Sequence, residues 1–400
     1  MQGGDCSISG KPPWNLEQLY EVPERFQLSE DLHTGVNSLF YEGVSYKGRA
    51  TRIFAYYGIP DSISPDEEVP ALILVHGGAG TAYKSWVKEW MARGYAAIAM
   101  DLEGHVPYGD EEHTERMEWP SHPWSGPVKQ GVFADYEQPV EDQWMYHAVA
   151  AVIKAHSLLG SFKGVDKHRV GITGISWGGI ITSLVAGLDT RLSFAMPVYG
   201  CGYLYEPGSY YGMGFASMPE VDAERIRLLW DPSTYLSGSR LPMLWLNGSN
   251  DTHFPLSIFN KSYEEHLNCY PINRHSRLSL HPGLGHSYKD AWTCSEVYAF
   301  ADSIAKGGPA LTEIRGEQFE GDWFSVHYAS SVPILEATLY WCKDDRDWRI
   351  TKWETIPASL DAINNKAMIR LPKHAVSFFV NMRNEKGWIT STRVMKIRKE

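Results

Sequence analysis

The sequence predicts an α/β protein, a doubly wound and mostly parallel sheet, followed by an all-β sandwich. Three observations carry this. Short, wholly apolar runs alternate with amphipathic stretches over the first three quarters of the 400 residues. Gly-rich or polar turns separate them. From about residue 309 the rhythm gives way to short β-rich segments with turn residues between and no useful helical period. The expected parts are an N-terminal arm (1–35), an α/β domain (36–308) and a β-sandwich of immunoglobulin or fibronectin type (309–400).

Taken in order, residues 1–35 are polar and Pro-punctuated, which suggests an extended arm with one short helix at 15–20. Residues 38–46 and 50–57 alternate around Lys47-Gly48, the pattern of a β-hairpin. Residues 71–75 are all apolar, as a strand buried on both faces should be. An amphipathic stretch follows at 82–93 and stops at Gly94, and 96–100 is the next buried run. Residues 139–159 have helical spacing with Pro139 at the start. Strands are expected at 169–175, 194–199, 243–246 and 278–280, and helices at 177–188 and 293–306. In the tail, strands are expected at 323–328, 335–342, 348–355, 367–371, 376–382 and 388–395.

Composition excludes several classes. The net charge is −11 and no Lys/Arg stripe stands out, which argues against a nucleic-acid or anionic-membrane partner. No apolar run is long enough to span a bilayer, about 18 residues being needed. Residues 1–13 lack the basic and apolar regions of a signal peptide. A processed secreted chain would look the same, so the compartment stays open, as does the oligomeric state. The five cysteines are too few and scattered for a disulfide framework or a zinc site. Aromatic residues reach 13%, with 15 Trp and 22 Tyr, which fits either a large core or a wall for flat or sugar-like substrates.

The chemistry is concentrated in Gly174-Ile175-Ser176-Trp177-Gly178, a G-x-S-x-G that follows an apolar strand and opens a helix. That setting is what a nucleophile elbow requires. A serine hydroxyl needs a base, and the base needs an orienting acid. Past the strand at 243–246 lies Asp251, and past the strand at 278–280 lies His286. Both follow the carboxyl ends of strands, where open α/β sheets place their sites. His286 is preferred as base over His281, which lies nearer the strand end, and over His253. Asp251 is preferred as acid over Glu264 and Glu265, which look like an exposed helix face. Oxyanion donors are expected from the amide of Gly78, with Ala79 second, in the turn His76-Gly77-Gly78-Ala79-Gly80, and from the amide of Trp177. His76 is read as a brace of that loop. No metal or cofactor is called for: His105, His113 and His122 match no metal spacing, and no dinucleotide fingerprint is present. Two aromatic-rich insertions, 103–138 and 200–240, are expected to wall the pocket.

Four segments carry a family resemblance: 76–82, 97–102, 142–148 and 174–179. They resemble bacterial α/β-hydrolases of the dienelactone hydrolase-like and acetylxylan esterase-like groups, related to the catalytic domain of prolyl oligopeptidases, over about residues 12–308. The resemblance implies the α/β-hydrolase fold and serine-esterase chemistry, often on a small acyl group of a carbohydrate. By position it implies Ser176 as nucleophile, Asp251 as acid and His286 as base. True dienelactone hydrolases use a Cys nucleophile where Ser176 stands, so lactone opening is not implied. The expected function is a serine carboxylesterase for short acyl esters of a small molecule or carbohydrate. The alternatives are a prolyl oligopeptidase-like peptidase and a binding module on a hydrolase scaffold.

Overall fold

The computed structural model describes residues 11–30, 33–60, 67–107 and 119–397. Residues 1–10 of the expected arm, with Cys6, and also Tyr108 and His113, lie outside the described residues.

The arm holds the expected helix, α1 (Leu16–Tyr20), capped by Asn15, whose side chain accepts from the Gln18 amide. It also holds a strand the sequence reading did not separate out, β1 (Arg25–Ser29). β2 (Val36–Glu42) and β3 (Arg52–Gly58) pair antiparallel. Their connection turns at Lys47 and Gly48, both at positive φ (50° and 73°), a geometry that glycine adopts at no steric cost.

The alternating region runs β4 (Val69–Val75), α2 (Lys84–Ala92), β5 (Ala96–Met100), α3 (Trp144–Leu159), β6 (Val165–Ile175), α4 (Trp177–Ala186) and β7 (Phe194–Val198). It continues through α5 (Tyr210–Ala216), α6 (Glu220–Trp230), α7 (Ser233–Leu236), β8 (Leu244–Gly248), α8 (Leu256–Cys269), β9 (Arg277–His281), α9 (Tyr288–Thr293) and α10 (Ser295–Ala305). Among the described residues these strands form a nine-stranded sheet in the order β1-β2-β3-β5-β4-β6-β7-β8-β9. Pairing is parallel from β5 to β9 and antiparallel at the N-terminal edge. Alternation along β6 turns Thr173 and Ile175 toward Trp86, Trp90 and Tyr298, so α2 and α10 cover one face. Gly174, between them, faces α4 on the other.

Several element expectations need correction. The helix expected over 139–159 starts at Trp144, where the Asp135 carboxylate accepts from the Trp144 amide at 2.6 Å. Pro139 opens only a 3₁₀ turn, Val140–Asp142. The helix expected over 293–306 forms as α10, starting two residues later after the extended Cys294, and is preceded by a short helix, α9, that the sequence reading did not separate out. Residues 200–240, read as an insertion, fold as α5 to α7.

The tail is two antiparallel sheets. β10 (Glu313–Glu320), β11 (Trp323–Ala329), β15 (Lys366–Arg370) and β14 (Ser359–Asp361) form one. β13 (Glu354–Pro357), β12 (Ile334–Cys342), β16 (Ser377–Asn384) and β17 (Ile389–Ser391) form the other, with β18 (Met395–Lys396) also on β16. Phe324, Val326 and Ile369 from the first meet Leu339, Phe378 and Val380 from the second in a core of their own. The strand expected over 348–355 begins only at Glu354. Asp344 and Asp347 each accept from the backbone amide two residues on, and these Asx turns divert the chain into a loop. The strand expected over 388–395 is split into β17 and β18.

The two units share a polar seam. β9 is the open edge of the large sheet, and edges need cover. The Leu280 amide donates to Ser391 Oγ (2.8 Å), the Leu280 carbonyl accepts from Asn381 Nδ2 (2.9 Å), and the buried Glu296 accepts from the Ile389 amide (2.7 Å).

Candidate active site

Ser176 sits between β6 and α4 at φ 58°, ψ −117°, a conformation that L-residues hold only when their surroundings force it. The forcing is steric. A Cβ at Gly174 would stand 2.2 Å from the Gly178 carbonyl oxygen, and a Cβ at Gly178 would stand 2.0 Å from that of Val75. Backbone cannot yield at such distances, so both positions need glycine. The Ser176 amide donates to the Val198 carbonyl, and its own carbonyl starts the helix by accepting from Ile180.

The structure brings Ser176, His286 and Asp251 together. His286 Nε2 lies 2.9 Å from Ser176 Oγ, and His286 Nδ1 lies 2.6 Å from Asp251 Oδ2. The carboxylate can only accept, so Nδ1 carries the ring proton and Nε2 is left to accept from the serine. The Asp251 side chain is fully buried, and its other oxygen accepts from the amides of His253 and Phe254, each at 2.8 Å. The His286 side chain is 16% exposed, so the imidazole is open to solvent while the Asp251 carboxylate is not. Tyr199 and Phe254 flank its ring, and His253 stacks on it at 4.3 Å. Burial first, and then the neighbouring His286, push the His253 imidazole below its ordinary value.

The rival residues are elsewhere engaged. His281 Nε2 bonds Ser279 Oγ at 2.9 Å. Glu265 accepts from the Tyr203 hydroxyl, and Glu264 pairs with Arg393. His76 braces its loop: Nε2 accepts from the Leu102 amide, and Nδ1 reaches the Gly77 carbonyl.

The turn 76–80 lies against the elbow. A Cβ at Gly77 would stand 3.0 Å from Ser176 Cβ, and one at Gly78 2.9 Å from Trp177 Cδ1. The Gly77 amide donates to the Tyr288 hydroxyl, which ties this turn to the segment that carries His286. Among the described residues the amides of Gly78 and Trp177 have no acceptor. Ala79, the second candidate, has φ 57°.

Sequence reasoning missed what holds these parts. The Trp177 ring is boxed edge-on by Phe133, Trp144 and Tyr211 at 5.2–5.4 Å, so both insertions and α3 meet on the residue after the elbow. The buried Tyr211 hydroxyl is directed at Ser176 and has no acceptor in full hydrogen-bond geometry among the described residues. A cavity of about 330 Å³ opens between the insertions, lined by Val132, Ala134 and Tyr136 from one and Tyr210, Met213 and Met218 from the other. Tyr210 also meets the His253 ring, at 4.7 Å.

Among the described residues two clusters have donor atoms close enough for a metal, Asp251–His253–His286 and His281–Cys294–Glu296. In the first the His286–Asp251 bond already uses the donors. In the second His281 bonds Ser279, Glu296 bonds Ile389 and Cys294 bonds the Asp290 carbonyl. His105 and His122 belong to neither cluster. Cys201, Cys294 and Cys342 form no disulfide. No helix among the described residues is long and apolar enough to cross a membrane.

The family model of acetyl xylan esterase matches residues 15–206, the part that contains the 76–80 turn and the elbow. An acetyl xylan esterase from Paenibacillus sp. R4 superposes with a TM-score of 0.55 at 19% identity, over 72% of this chain and 92% of that one. Among curated relatives, the uncharacterized peptidase YuxL of Bacillus subtilis (strain 168) is 22% identical over 78% of this chain and 40% of its own length. Dipeptidyl-peptidase 4 of Giardia intestinalis is 23% identical over 50% of this chain and 25% of its own. The chain thus spans less than half the length of the curated relatives it matches. The strand order and the superposition on the Paenibacillus protein show that the chain has the α/β-hydrolase fold.

Proposed function

We propose that the chain is a serine carboxylesterase working through an acyl-enzyme, with Ser176 as nucleophile, His286 as base and Asp251 as acid. The observation that carries the reading is the unbroken relay Ser176–His286–Asp251 at a strained elbow. Ser176 Oγ attacks the ester carbonyl carbon while its proton passes to His286 Nε2. Negative charge gathers on the former carbonyl oxygen, which the amides of Gly78 and Trp177 stabilise. The tetrahedral species expels the alcohol, which takes the proton from Nε2. Water, deprotonated by His286, then attacks the acyl carbon and frees Ser176. Asp251 keeps the imidazole in the productive tautomer and stabilises its cation.

The preferred substrate is a short acyl ester, an acetyl group on a carbohydrate. The acetyl xylan esterase family match supports this. A peptidase is the second reading, favoured by the names of the curated relatives. Rates on an aryl acetate, an aryl butyrate and a Pro-linked amide separate the two, with the acetate expected fastest and faster amide cleavage overturning the preference. Ser176→Ala should abolish turnover by several orders of magnitude, about 10⁴-fold or more, with the fold intact. Unchanged activity in that variant would eliminate the proposed mechanism.

A further inference from the structure

We infer that the β-rich tail is part of the working site: its loop between β12 and β13 clamps the turn that carries Asp251, with Trp348 as the positioning residue. The inference rests on the reading of Asp251 as the acid.

The Asp251 carboxylate is aimed by its own backbone, because one oxygen is held by the amides of His253 and Phe254 while the other meets His286. Its orientation is therefore set by the path of residues 249–254. On the inner side that path is held by bonds from the Ser249 amide to the His281 carbonyl (3.1 Å), from the Asp251 amide to the Gly248 carbonyl (3.3 Å) and from Asn247 Nδ2 to the Phe254 carbonyl (3.0 Å), and within the turn by one from Ser249 Oγ to Asn250 Oδ1 (2.9 Å). On the outer side the tail supplies three. Trp348 Nε1 donates to the Asp251 carbonyl at 2.6 Å. Asn250 Nδ2 donates to the carbonyls of Trp348 (2.8 Å) and Thr351 (2.9 Å). Two consecutive residues of the acid turn are thus tied to a segment about a hundred residues downstream.

The clamp has its own supports. Thr351 Oγ1 donates to the Asp347 carbonyl (3.0 Å), and the Asp347 side chain accepts from the Arg349 amide, so the loop keeps its shape. Trp353, at its end, packs edge-on against Phe379 at 5.0 Å. The Trp348 ring lies near Gly208 of the second insertion, where a Cβ would be in ordinary contact at 3.7 Å, and the Arg349 guanidinium lies over it at 5.0 Å. The indole spends its only donor on the main chain of Asp251.

A reacting geometry displaced by about 1 Å can cost on the order of a hundredfold in rate. Cutting the clamp should therefore lower kcat and leave KM alone, since Trp348 holds the acid rather than the substrate. The test uses the full chain and p-nitrophenyl acetate. Trp348→Phe keeps the ring and deletes the donor, and Asn250→Ala deletes the second tie while leaving the indole in place. The expected result is a kcat about tenfold lower in each, KM within about twofold and an unchanged thermal midpoint. The double variant should be little worse than the poorer single one, because both act through one turn. Wild-type kcat in both single variants overturns the clamp, as does a loss of rate that only tracks loss of folded protein. If Trp348→Phe does not fold, Asn250→Ala decides alone. Ser176→Ala is run alongside. Activity there would sink the reading of the site itself, whereas an inactive Ser176→Ala beside fully active clamp variants would sink only the clamp.

Discussion

The elbow that presents Ser176 and the turns that present Asp251 and His286 meet within hydrogen-bond distance but are built in opposite ways. The elbow is fixed by hard contacts between backbone segments of β4, β6 and α4, and it has no room for a single added carbon at Gly174 or Gly178. The acid and base ride on turns fixed by hydrogen bonds, ring contacts and a loop from the tail. In the base turn, Gly283 (φ 80°) has open space around it. The nucleophile is thus held by sterics. Its partners are held by a network, and a network can be loosened one bond at a time.

The largest effect should come from the network's last link. Asp251→Asn keeps the volume of the acid but inverts its hydrogen bonding to His286, and kcat should fall about ten-thousand-fold with the fold retained. Steady-state kinetics on an aryl acetate check this, and a loss under tenfold would say that the acid is another residue. The contrast in construction predicts the next pair. Gly178→Ala should cost more than about 3 kcal/mol of stability, or prevent folding, whereas Gly283→Ala should cost only about 1 kcal/mol for its positive φ. Urea unfolding of both measures the difference, and equal costs would erase the distinction.

Smaller effects sharpen it. Tyr211→Phe removes a buried hydroxyl that lacks a full acceptor, so stability should hold or rise slightly. If that hydroxyl helps steady charge at Ser176, kcat falls by about two- to tenfold in the same variant. The two measured together separate a role in the reaction from a packing role. The smallest effect is on pH. Burial holds His266 in α8 down at about 3 and His147 in α3 down at about 4, against 6.5 for an ordinary imidazole. Between those values and 6.5 the unfolded chain binds more protons than the folded one, so stability falls as pH falls through that window. The slope should be on the order of 1 kcal/mol per pH unit for each buried ring. His266→Gln should flatten the acid limb of a Tm-against-pH curve, and an unchanged limb would show that His266 is not neutral in the fold.

How much was legible in the sequence follows the same division. The elbow could be read because its stereochemistry is local: two glycines around a serine, after an apolar run and before a helix. The order Ser176, Asp251, His286, each past a strand end, pointed to three side chains that the fold brings into contact, without revealing what holds them. The strand β1 was legible in Phe26 and Leu28 alternating with polar residues, but the Pro-punctuated surroundings hid it. The strand expected over 348–355 is a loop as far as Trp353: its aromatic and β-branched residues point to a strand, but two aspartates, Asp344 and Asp347, turn the chain ahead of it. Trp348 could not have been found. Its meaning depends on how the tail seats against β9, a long-range arrangement fixed by the bonds of Leu280, Asn381 and Ser391.

The central claim, that Ser176 is a nucleophile switched on by His286, is met most directly by rapid-mixing kinetics with p-nitrophenyl acetate followed by peptide mass spectrometry. The account predicts a burst of about one nitrophenolate per chain and an acetyl group on the Ser176 peptide, both lost in His286→Ala. An acetyl group on any other residue, or a burst that survives Ser176→Ala, would contradict it.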